Sequence, residues 1–444
     1  MAARASRRVF LKAAGLAGVS VTVLRPGALG ANEKLQHASI GVGGMGHVDL
    51  RNFLAHARTQ VVAICDVDKN RLNAAVGRAK GARIYTDWRE LLAKEGDKID
   101  SVNVTVPDHM HATVAMAAIK KGKHVYCQKP LCHDVGECRD LALAAKKAGV
   151  VTQLGTQHAS EVGDRMGVQL LEAGAVGKVK HVYLCSNRGG GQGHGAKGPR
   201  PDRTDPVPDY LSWNLWLGTA PKRPFAKETY HPARWRGWLD FGTGWSGDIG
   251  CHIFDAVWKG LGLTAPKTVV AEVQKSWVES PERRADTWPQ HNHITWVFPG
   301  NDKTTGDLTI EWFDGHFFPP EKIRKMVTGM KYPEEAAFIL GTEGGLLIPH
   351  KCGPQLFPRE QFKGYKRPKV PGGNHYHLFA DACLGGTPTE SHFVQTGPMA
   401  EAIILGTVAI RCAGKTLQWN AAELKIPNCA EAEKYLRRSY RTGW

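Results

Sequence analysis

The chain has 444 residues, of which 42% are hydrophobic and 23% charged, and this length predicts two domains rather than one. It contains no run of eighteen apolar residues, so the composition gives no stable membrane span. The formal net charge is +16, but beyond the first 30 residues the basic residues are scattered among acidic ones, which argues against a nucleic-acid-binding surface.

The first 30 residues have the pattern of an export signal. Ser6-Arg7-Arg8 precede an apolar stretch from Ala13 to Leu24, and small residues follow at Ala28 and Gly30. This order resembles a twin-arginine (Tat) signal, so we expect the Tat export machinery to carry the folded protein to the periplasm and residues 1–30 to be removed. An ordinary amphipathic first helix is the alternative. Export in the folded state implies a cofactor that is tightly held and regenerated within the site.

A glycine-rich turn follows the first predicted strand and leads into a helical pattern. Its three spaced glycines have the G-x-G-x-x-G arrangement, which lets the backbone approach a pyrophosphate at the N-terminus of a helix. We therefore expect a dinucleotide to bind at this turn. The turn consists of Gly41, Gly43, Gly44, Met45 and Gly46.

The second predicted strand indicates which dinucleotide binds. Val61–Cys65 are apolar, and Asp66 follows twenty residues after Gly46, where an acidic residue is expected to meet the ribose hydroxyls. A carboxylate there repels a 2′-phosphate, so we expect NAD in preference to NADP. The alternative for Asp66 is an ordinary turn-forming residue at the end of a strand.

Strands and helices alternate over the first domain, predicted at 31–155, which indicates a parallel, doubly wound sheet. The helical patterns are 69–79, 88–94 and 112–120, and the further strands are 101–106, 124–127 and 150–154. The second domain is predicted at 156–444, with strands at 180–185, 268–273, 293–298 and 308–312 and helices near 377–383 and 398–410.

Three segments together resemble the Gfo/Idh/MocA oxidoreductase family: the glycine turn, T-V-P-D-H-M-H at 105–111 and C-Q-K-P-L at 127–131. The resemblance implies an α/β protein with an N-terminal Rossmann dinucleotide-binding domain and a C-terminal α+β domain that has an open, mostly antiparallel sheet. It also implies NAD(P)-dependent hydride transfer at a CH–OH group of a sugar, polyol or sugar derivative. Family sheets commonly pair between subunits, so a homo-oligomer is expected.

The resemblance assigns catalytic roles to three residues. Lys129 corresponds to the family lysine that hydrogen-bonds the reacting hydroxyl, although the family usually has glutamate where this chain has Gln128. In the helical signature G-T-G-W-S-G-D-I-G-C-H-I-F-D at 242–255, Asp248 and His252 stand four residues apart and share a face. The resemblance makes His252 the general base and Asp248 its orienting carboxylate. The alternatives are a structural core histidine and a helix cap.

The remaining expected contacts flank these residues. Cofactor contacts are expected at Pro107, His109, Gln128, Lys129 and Gln157. Aromatic rings suit the apolar face of a pyranose, although core packing is an equal alternative for each tryptophan. The tryptophans in question are Trp213, Trp216, Trp235, Trp238 and Trp245, and the expected substrate contacts are Arg234, Trp235, Trp245, Asp248 and His252.

Other features leave two further functions open. The Gly/Pro-rich stretch 187–208 is expected on the surface, over the site. Neither the histidines nor the ten cysteines have zinc-site spacing, so no catalytic metal is expected. The alternative functions are an NAD-dependent glycoside hydrolase that oxidises C3 transiently, and an exported cofactor-binding partner without catalytic turnover.

Overall fold

The computed structural model describes residues 34–188 and 198–444, so the predicted export signal and most of the Gly-rich part of the 187–208 stretch lie outside the described residues. The N-terminal sheet is parallel and has six strands in the order β3-β2-β1-β4-β5-β6, which is the doubly wound order expected of a dinucleotide-binding domain. Its strands are β1 (Leu35–Ile40), β2 (Thr59–Cys65), β3 (Arg83–Tyr85), β4 (Ser101–Val104), β5 (His124–Cys127) and β6 (Thr152–Leu154).

Five α-helices connect or follow these strands, and several begin at side-chain caps that the sequence supplies. Asp68 accepts hydrogen bonds from the first backbone amides of α2, and Asp134 forms a capping box with Glu137 at the start of α5. The helices are α1 (Met45–Ala55), α2 (Lys69–Val76), α3 (Trp88–Glu95), α4 (His111–Lys120) and α5 (Val135–Ala148).

The second domain contains an eight-stranded sheet in the order β13-β12-β11-β7-β10-β9-β8-β14. Neighbouring strands are antiparallel except for β7 and β10, so the sheet is mostly antiparallel, as expected. Its strands are β7 (Val179–Ser186), β8 (Thr268–Val273), β9 (Asn292–Phe298), β10 (Thr304–Asp314), β11 (Glu335–Gly341), β12 (Gly345–Pro349), β13 (Gln355–Phe357) and β14 (Leu417–Gln418).

The helices of the second domain include two long ones that pack on each other. One of them, α13, is long and apolar enough to pass a composition test for a membrane span, but 83% of the tested stretch is buried within the protein. We therefore assign α13 to the protein core. The helices are α6 (Val162–Glu172), α7 (Trp213–Leu217), α8 (Gly244–Leu261), α9 (Lys275–Val278), α10 (Pro281–Asp286), α11 (Glu321–Met326), α12 (His375–Cys383), α13 (Phe393–Arg411) and α14 (Ala430–Glu433).

The C-terminal part of the chain returns to the first domain. Tyr376 and Phe379 of α12 lie in the same buried cluster as Phe53 of α1 and Tyr126 of β5. Near the C-terminus, the Arg438 guanidinium pairs with Glu137 at 2.7 Å. These contacts join the C-terminal part of the chain to α1, β5 and α5 of the first domain.

Candidate active site

The glycine turn leaves no room for a side chain at Gly41 or Gly46. Gly41 has a φ of 85°, and a Cβ atom there would lie 2.1 Å from the Thr105 carbonyl oxygen. A Cβ atom on Gly46 would lie 2.1 Å from the Gly41 carbonyl oxygen, so the turn and the first turn of α1 pack directly on each other. Helix α1 begins at Met45, which lines a cleft together with Gly43 and Gly44. A helix N-terminus at such a turn is where this fold binds a pyrophosphate.

We name this space the cofactor cleft. It lies beside the glycine turn at the carboxyl ends of the parallel strands, the usual position for a dinucleotide in this fold. The second domain covers it with the segment that includes Trp216 and Arg236. The residues that line it include Gly41, Gly43, Gly44, Met45, Asp66, Arg71, Pro107, Asp108, His111, Gln128, Lys129, Trp216, His231, Trp235 and Arg236.

Asp66 lines the cofactor cleft directly after the end of β2. Its Oδ2 accepts hydrogen bonds from the amides of Val42 at 2.9 Å and Gly43 at 3.2 Å, and its Oδ1 accepts one from Asp68 at 3.0 Å. Burial raises the pKa of Asp66, and these amides and the charge of Arg71 oppose that shift. The carboxylate thus holds the turn and lines the cofactor cleft, and its contact with a ribose stays a prediction.

The roof of the cleft comes from residues 210–236 of the second domain, which follow the 187–208 stretch that the sequence predicts over the site. The Lys69 amide donates to the Tyr210 carbonyl at 2.8 Å, which joins the start of α2 to the covering segment. His231 Nε2 lies 2.8 Å from Asp68 Oδ2, next to Arg71. Arg71 and His231 therefore border the same part of the cofactor cleft as Asp66, and no local pattern in the sequence indicates that they meet.

Lys129 and Asp248 form the ion pair at the inner end of the cofactor cleft. The Lys129 Nζ lies 2.9 Å from Asp248 Oδ1 and 3.0 Å from the Asp248 carbonyl oxygen. Their side chains are 16% and 4% exposed, so solvent screens the pair weakly. Arg236 Nε lies 3.5 Å from the other oxygen of Asp248. The carboxylate is held between two cations, and it fixes the position of the Lys129 ammonium.

Asp108 adds a second buried carboxyl group to this cluster. Its Oδ2 accepts hydrogen bonds from the Thr243 amide at 3.2 Å and the Thr243 hydroxyl at 3.0 Å. Burial and the nearby charge of Asp248 raise the pKa of Asp108 to about 7, against the opposing charges of Arg236 and Lys129. Asp108 lies within the 105–111 segment and lines the cofactor cleft, but it is not among the site residues that the sequence predicts.

His252 lies one helical turn beyond Asp248 and closes the site on the second-domain side. Burial and the charge of Lys129 lower the pKa of His252 well below its usual value, so the imidazole is neutral at neutral pH. Its Nδ1 is buried and has no hydrogen-bond partner among the described residues. Two more imidazoles stand close: the ring centres of His350 and His158 lie 5.2 Å and 6.3 Å from that of His252.

Gln128 faces a buried carboxylate. Its Nε2 lies 3.0 Å from both carboxylate oxygens of Asp49 on α1. Asp49 also accepts hydrogen bonds from the hydroxyls of Thr105 at 2.6 Å and Tyr376 at 2.8 Å, and burial raises its pKa to about 6. The amide at position 128 thus donates to a carboxylate where a glutamate would repel it. Asp49 was not predicted.

Several predicted contacts lie elsewhere. His109 is fully buried with its Nε2 3.2 Å from the Trp216 carbonyl oxygen, so its neighbour Asp108 faces the cofactor cleft instead. Gln157 donates to the Tyr126 hydroxyl at 3.1 Å and is outside the cleft lining. Arg234 is exposed and does not line the cofactor cleft, whereas Arg236, two residues later, does.

The tryptophans mostly form a core. Trp213, Trp216, Trp235 and Trp238 belong to one buried cluster, in agreement with the packing alternative. Trp216 and Trp235 also line the cofactor cleft. Trp245 is buried in the first turn of α8, and its indole Nε1 donates to the carbonyl and hydroxyl oxygens of Ser186 at 3.0 Å. Stacking on a sugar therefore stays a prediction only for Trp216 and Trp235, the two rings of this set that line the cofactor cleft.

Metal-ligand side chains converge at one place within the described ranges, away from the active site. Suitable atoms of Cys412, Cys429 and Glu431 lie within 4.8 Å of one another. Glu431 is already paired with the Lys415 ammonium at 2.7 Å, which competes with a cation.

The fold and the cofactor cleft define a two-domain oxidoreductase with an NAD-binding Rossmann domain. Residues 35–156 match the family model described as an oxidoreductase family, NAD-binding Rossmann fold, and residues 168–319 match its C-terminal alpha/beta domain. These two ranges together cover more than half of the chain. The chain belongs to the Gfo/Idh/MocA oxidoreductase family.

Individual relatives are more distant. Inositol 2-dehydrogenase of Salmonella typhimurium is 31% identical over 153 residues, which cover 34% of this chain and 45% of the relative, so the match spans less than half of that enzyme. The WlbA dehydrogenase of Bordetella pertussis, solved with NADH and UDP-GlcNAcA, is similar in structure with a TM-score of 0.59 at 16% identity, over 87% of this chain and 99% of that one. The aldose-aldose oxidoreductase of Caulobacter crescentus has a TM-score of 0.55 at 16% identity, over 87% and 100%.

Proposed function

We propose that this protein oxidises a hydroxyl-bearing carbon of a sugar, polyol or sugar derivative, with NAD bound in the cofactor cleft as the hydride acceptor. The observation that carries the proposal is the position of the Lys129 ammonium, which Asp248 holds at 2.9 Å beside the glycine turn. Neutral His252 lies one helical turn away on α8. A hydrogen-bond donor and a proton acceptor on either side of one hydroxyl are what such an oxidation requires.

The residues divide the work as follows. NAD, when bound, supplies the hydride-accepting ring. Lys129 donates a hydrogen bond to the reacting hydroxyl oxygen and steadies the negative charge that grows there as the proton leaves. His252 accepts that proton. The hydrogen attached to the hydroxyl-bearing carbon leaves with its electron pair as hydride. Asp248 keeps the Lys129 side chain in one orientation, and its own charge is balanced by Arg236.

The test begins with the purified protein. Nicotinamide dinucleotide released on denaturation is identified by mass spectrometry, and a panel of sugars and polyols is screened for the absorbance of reduced nicotinamide. We expect NAD at close to one per chain and cofactor reduction by at least one compound. Lys129→Met should remove the reduction but retain the dinucleotide, whereas the exposed-lysine control Lys147→Met should keep both. Protein that neither contains nor binds NAD or NADP would refute the proposal.

We also propose that residues 1–30 direct Tat export of the folded, cofactor-loaded protein to the periplasm. The support is the sequence order of Arg7-Arg8, apolar core and small-residue exit. Fractionation of cells that express the full chain should place the shortened protein in the periplasm. Replacing both arginines with lysine should leave it unprocessed in the cytoplasm. Unchanged periplasmic recovery of the Arg7→Lys, Arg8→Lys variant would contradict Tat export.

A further inference from the structure

Two cysteines come together in the C-terminal part of the chain, outside the lining of the cofactor cleft. Cys412 follows the last residue of α13 and is buried, and Cys429 directly precedes α14 and is half-buried. Their sulfur atoms lie within 4.8 Å of each other, and a carboxylate oxygen of Glu431 lies within the same distance of both. Thiols this close are joined in proteins either through a shared metal ion or by a disulfide bond.

The chemistry of the set favours the disulfide. A structural zinc ion is almost always held by four ligands, whereas three side chains converge here among the residues that the structure describes. One of the three is already engaged, because the Lys415 ammonium lies 2.7 Å from a Glu431 oxygen. A disulfide requires the two thiols alone.

The backbone around the two cysteines keeps them side by side. Asn428, the residue before Cys429, accepts a hydrogen bond from the Gln418 amide at 2.9 Å and donates one to the Thr416 carbonyl oxygen at 2.8 Å. These bonds fasten Cys429 beside the segment that follows Cys412. Both cysteines have non-helical backbone torsions at the ends of their helices. We expect side-chain rotation there to bring the sulfurs to the separation of about 2.05 Å that a disulfide requires.

A second pair of thiols lies close together but is sealed from solvent. Cys132 and Cys138 are fully buried. Burial raises the pKa of both thiols, and a hydrogen bond between them adds to this shift for Cys132 and opposes it for Cys138. Thiols buried in this way are inert to external oxidants, so this pair should stay reduced. Half-buried Cys429 gives the first pair the exposure that the second pair lacks.

We propose that Cys412 and Cys429 form a disulfide bond once the protein has left the cytoplasm. The oxidant is a disulfide of the surrounding compartment, either a small molecule or a protein. This proposal rests on the proposed export, because the thiols of cytoplasmic proteins are kept reduced.

The bond forms by two successive thiol–disulfide exchanges. Burial raises the pKa of Cys412 to about 12, so this group is protonated at neutral pH and the first attack falls to Cys429. The Cys429 thiolate attacks one sulfur of the oxidant, which forms a mixed disulfide and releases the other sulfur as a thiolate. Cys412 then loses its proton and attacks the Cys429 sulfur, which releases the second half of the oxidant. The chain gives up two electrons and two protons, and the oxidant becomes two thiols.

The disulfide would fasten the C-terminal segment, residues 430–444, to the core helix α13. In this segment Arg438 donates to the carbonyl oxygen of His109, directly after a residue that lines the cofactor cleft. Arg441 donates to the Gly218 carbonyl oxygen at 2.9 Å. Because a cross-link constrains the unfolded chain, we expect it to raise the melting temperature by a few degrees.

The test starts from the purified full chain, reduced and then incubated with glutathione disulfide as the oxidant. Free thiols are blocked with N-ethylmaleimide during denaturation, and the unreduced protein is digested for mass spectrometry. We expect a peptide that links Cys412 to Cys429 and is two hydrogens lighter than its separate halves. Cys132 and Cys138 should be recovered as blocked thiols. The oxidised protein should melt a few degrees above the reduced protein.

Serine variants separate the two exchanges. Cys412→Ser should accumulate glutathione on Cys429, because the second thiol is missing. Cys429→Ser should leave the buried Cys412 unmodified. Cys352→Ser, at an exposed cysteine, is the matched control and should form the linked peptide as the unsubstituted protein does.

The outcomes that would overturn the proposal are specific. One is the absence of the linked peptide after oxidation of the folded protein, and another is equally fast linkage of Cys132 to Cys138. Zinc at one per chain that Cys412→Ser removes would assign the pair to a metal site instead. Free Cys412 and Cys429 thiols in protein recovered from the periplasm would also overturn it. Protein that stays in the cytoplasm yet forms the link with glutathione disulfide would refute export and support the pairing.

Discussion

Changing Gln128 to glutamate tests the account of the Asp49 pocket. In the structure the Gln128 amide donates to both carboxylate oxygens of Asp49 at 3.0 Å. Glutamate would replace this donor with a second carboxylate about 4 Å away, and two unit charges at that distance repel by about 4 kcal/mol at an effective dielectric constant of about 20. We therefore expect the Gln128→Glu variant to retain one proton between the two groups at neutral pH.

The pH dependence follows from the pKa of Asp49. Burial raises it from 3.8 to about 6, so the folded state binds more protons than the unfolded state between these values. Stability consequently falls as pH rises through this window, by about 3 kcal/mol in total from this one group. In Gln128→Glu the added repulsion extends the fall to higher pH. The variant should be close to the unsubstituted protein at acidic pH and lower in melting temperature by several degrees at mildly alkaline pH.

Thermal unfolding over this pH range measures the effect, with the exposed Gln418→Glu as a charge-matched control. Adding Asp49→Asn to Gln128→Glu exchanges the amide and the carboxylate, and it should recover most of the lost stability at high pH. Superimposable pH curves for Gln128→Glu and the unsubstituted protein, or no recovery in the double variant, would refute this account.

Three further predictions concern the cofactor cleft. Lys129→Met should lower kcat by about 10²–10⁴-fold while the dinucleotide stays bound. Cofactor reduction measures kcat, and release of dinucleotide on denaturation measures its binding. A variant with normal activity would exclude Lys129 from the chemistry. Asp108→Asn should reduce the loss of stability with rising pH, because burial and Asp248 raise the pKa of Asp108 from 3.8 to about 7. Melting temperatures measured between these two pH values test this, and an unchanged dependence of melting temperature on pH would contradict a protonated Asp108. Asp66→Ala should reduce the preference for NAD over NADP, compared through the dissociation constants of both, and an unaltered ratio would show that Asp66 does not select the cofactor.

The sequence was most informative where all residues of a functional feature lie within one short segment. The glycine turn and Asp66 belong to one strand-turn-helix-strand unit, so their spacing alone places them together. Asp248 and His252 lie on one helix, where a separation of four residues determines a shared face. Lys129 was located by resemblance, and its contact with Asp248 depends on the packing of two domains.

The site residues that the sequence does not predict are positioned either by contacts between the two domains or by the geometry of a short turn. Arg236 rather than Arg234 enters the cleft because a short 3₁₀ turn at Arg234–Gly237 sets which side chains face inward. Asp49 could have been noticed as an acidic residue beside Leu50 on the buried side of α1, although its partner Gln128 is 79 residues away. The strands β11, β12 and β13 were not delimited, since their apolar residues form short runs without a clear period.

The roof of the cofactor cleft connects the proposed chemistry with the proposed export route. The covering segment is joined to the first domain through the Lys69 and Tyr210 backbones and through His231 and Asp68, and we expect these contacts to slow the release of a bound dinucleotide. A retained cofactor has to be reoxidised in place, which requires a second substrate or a later step to return the hydride.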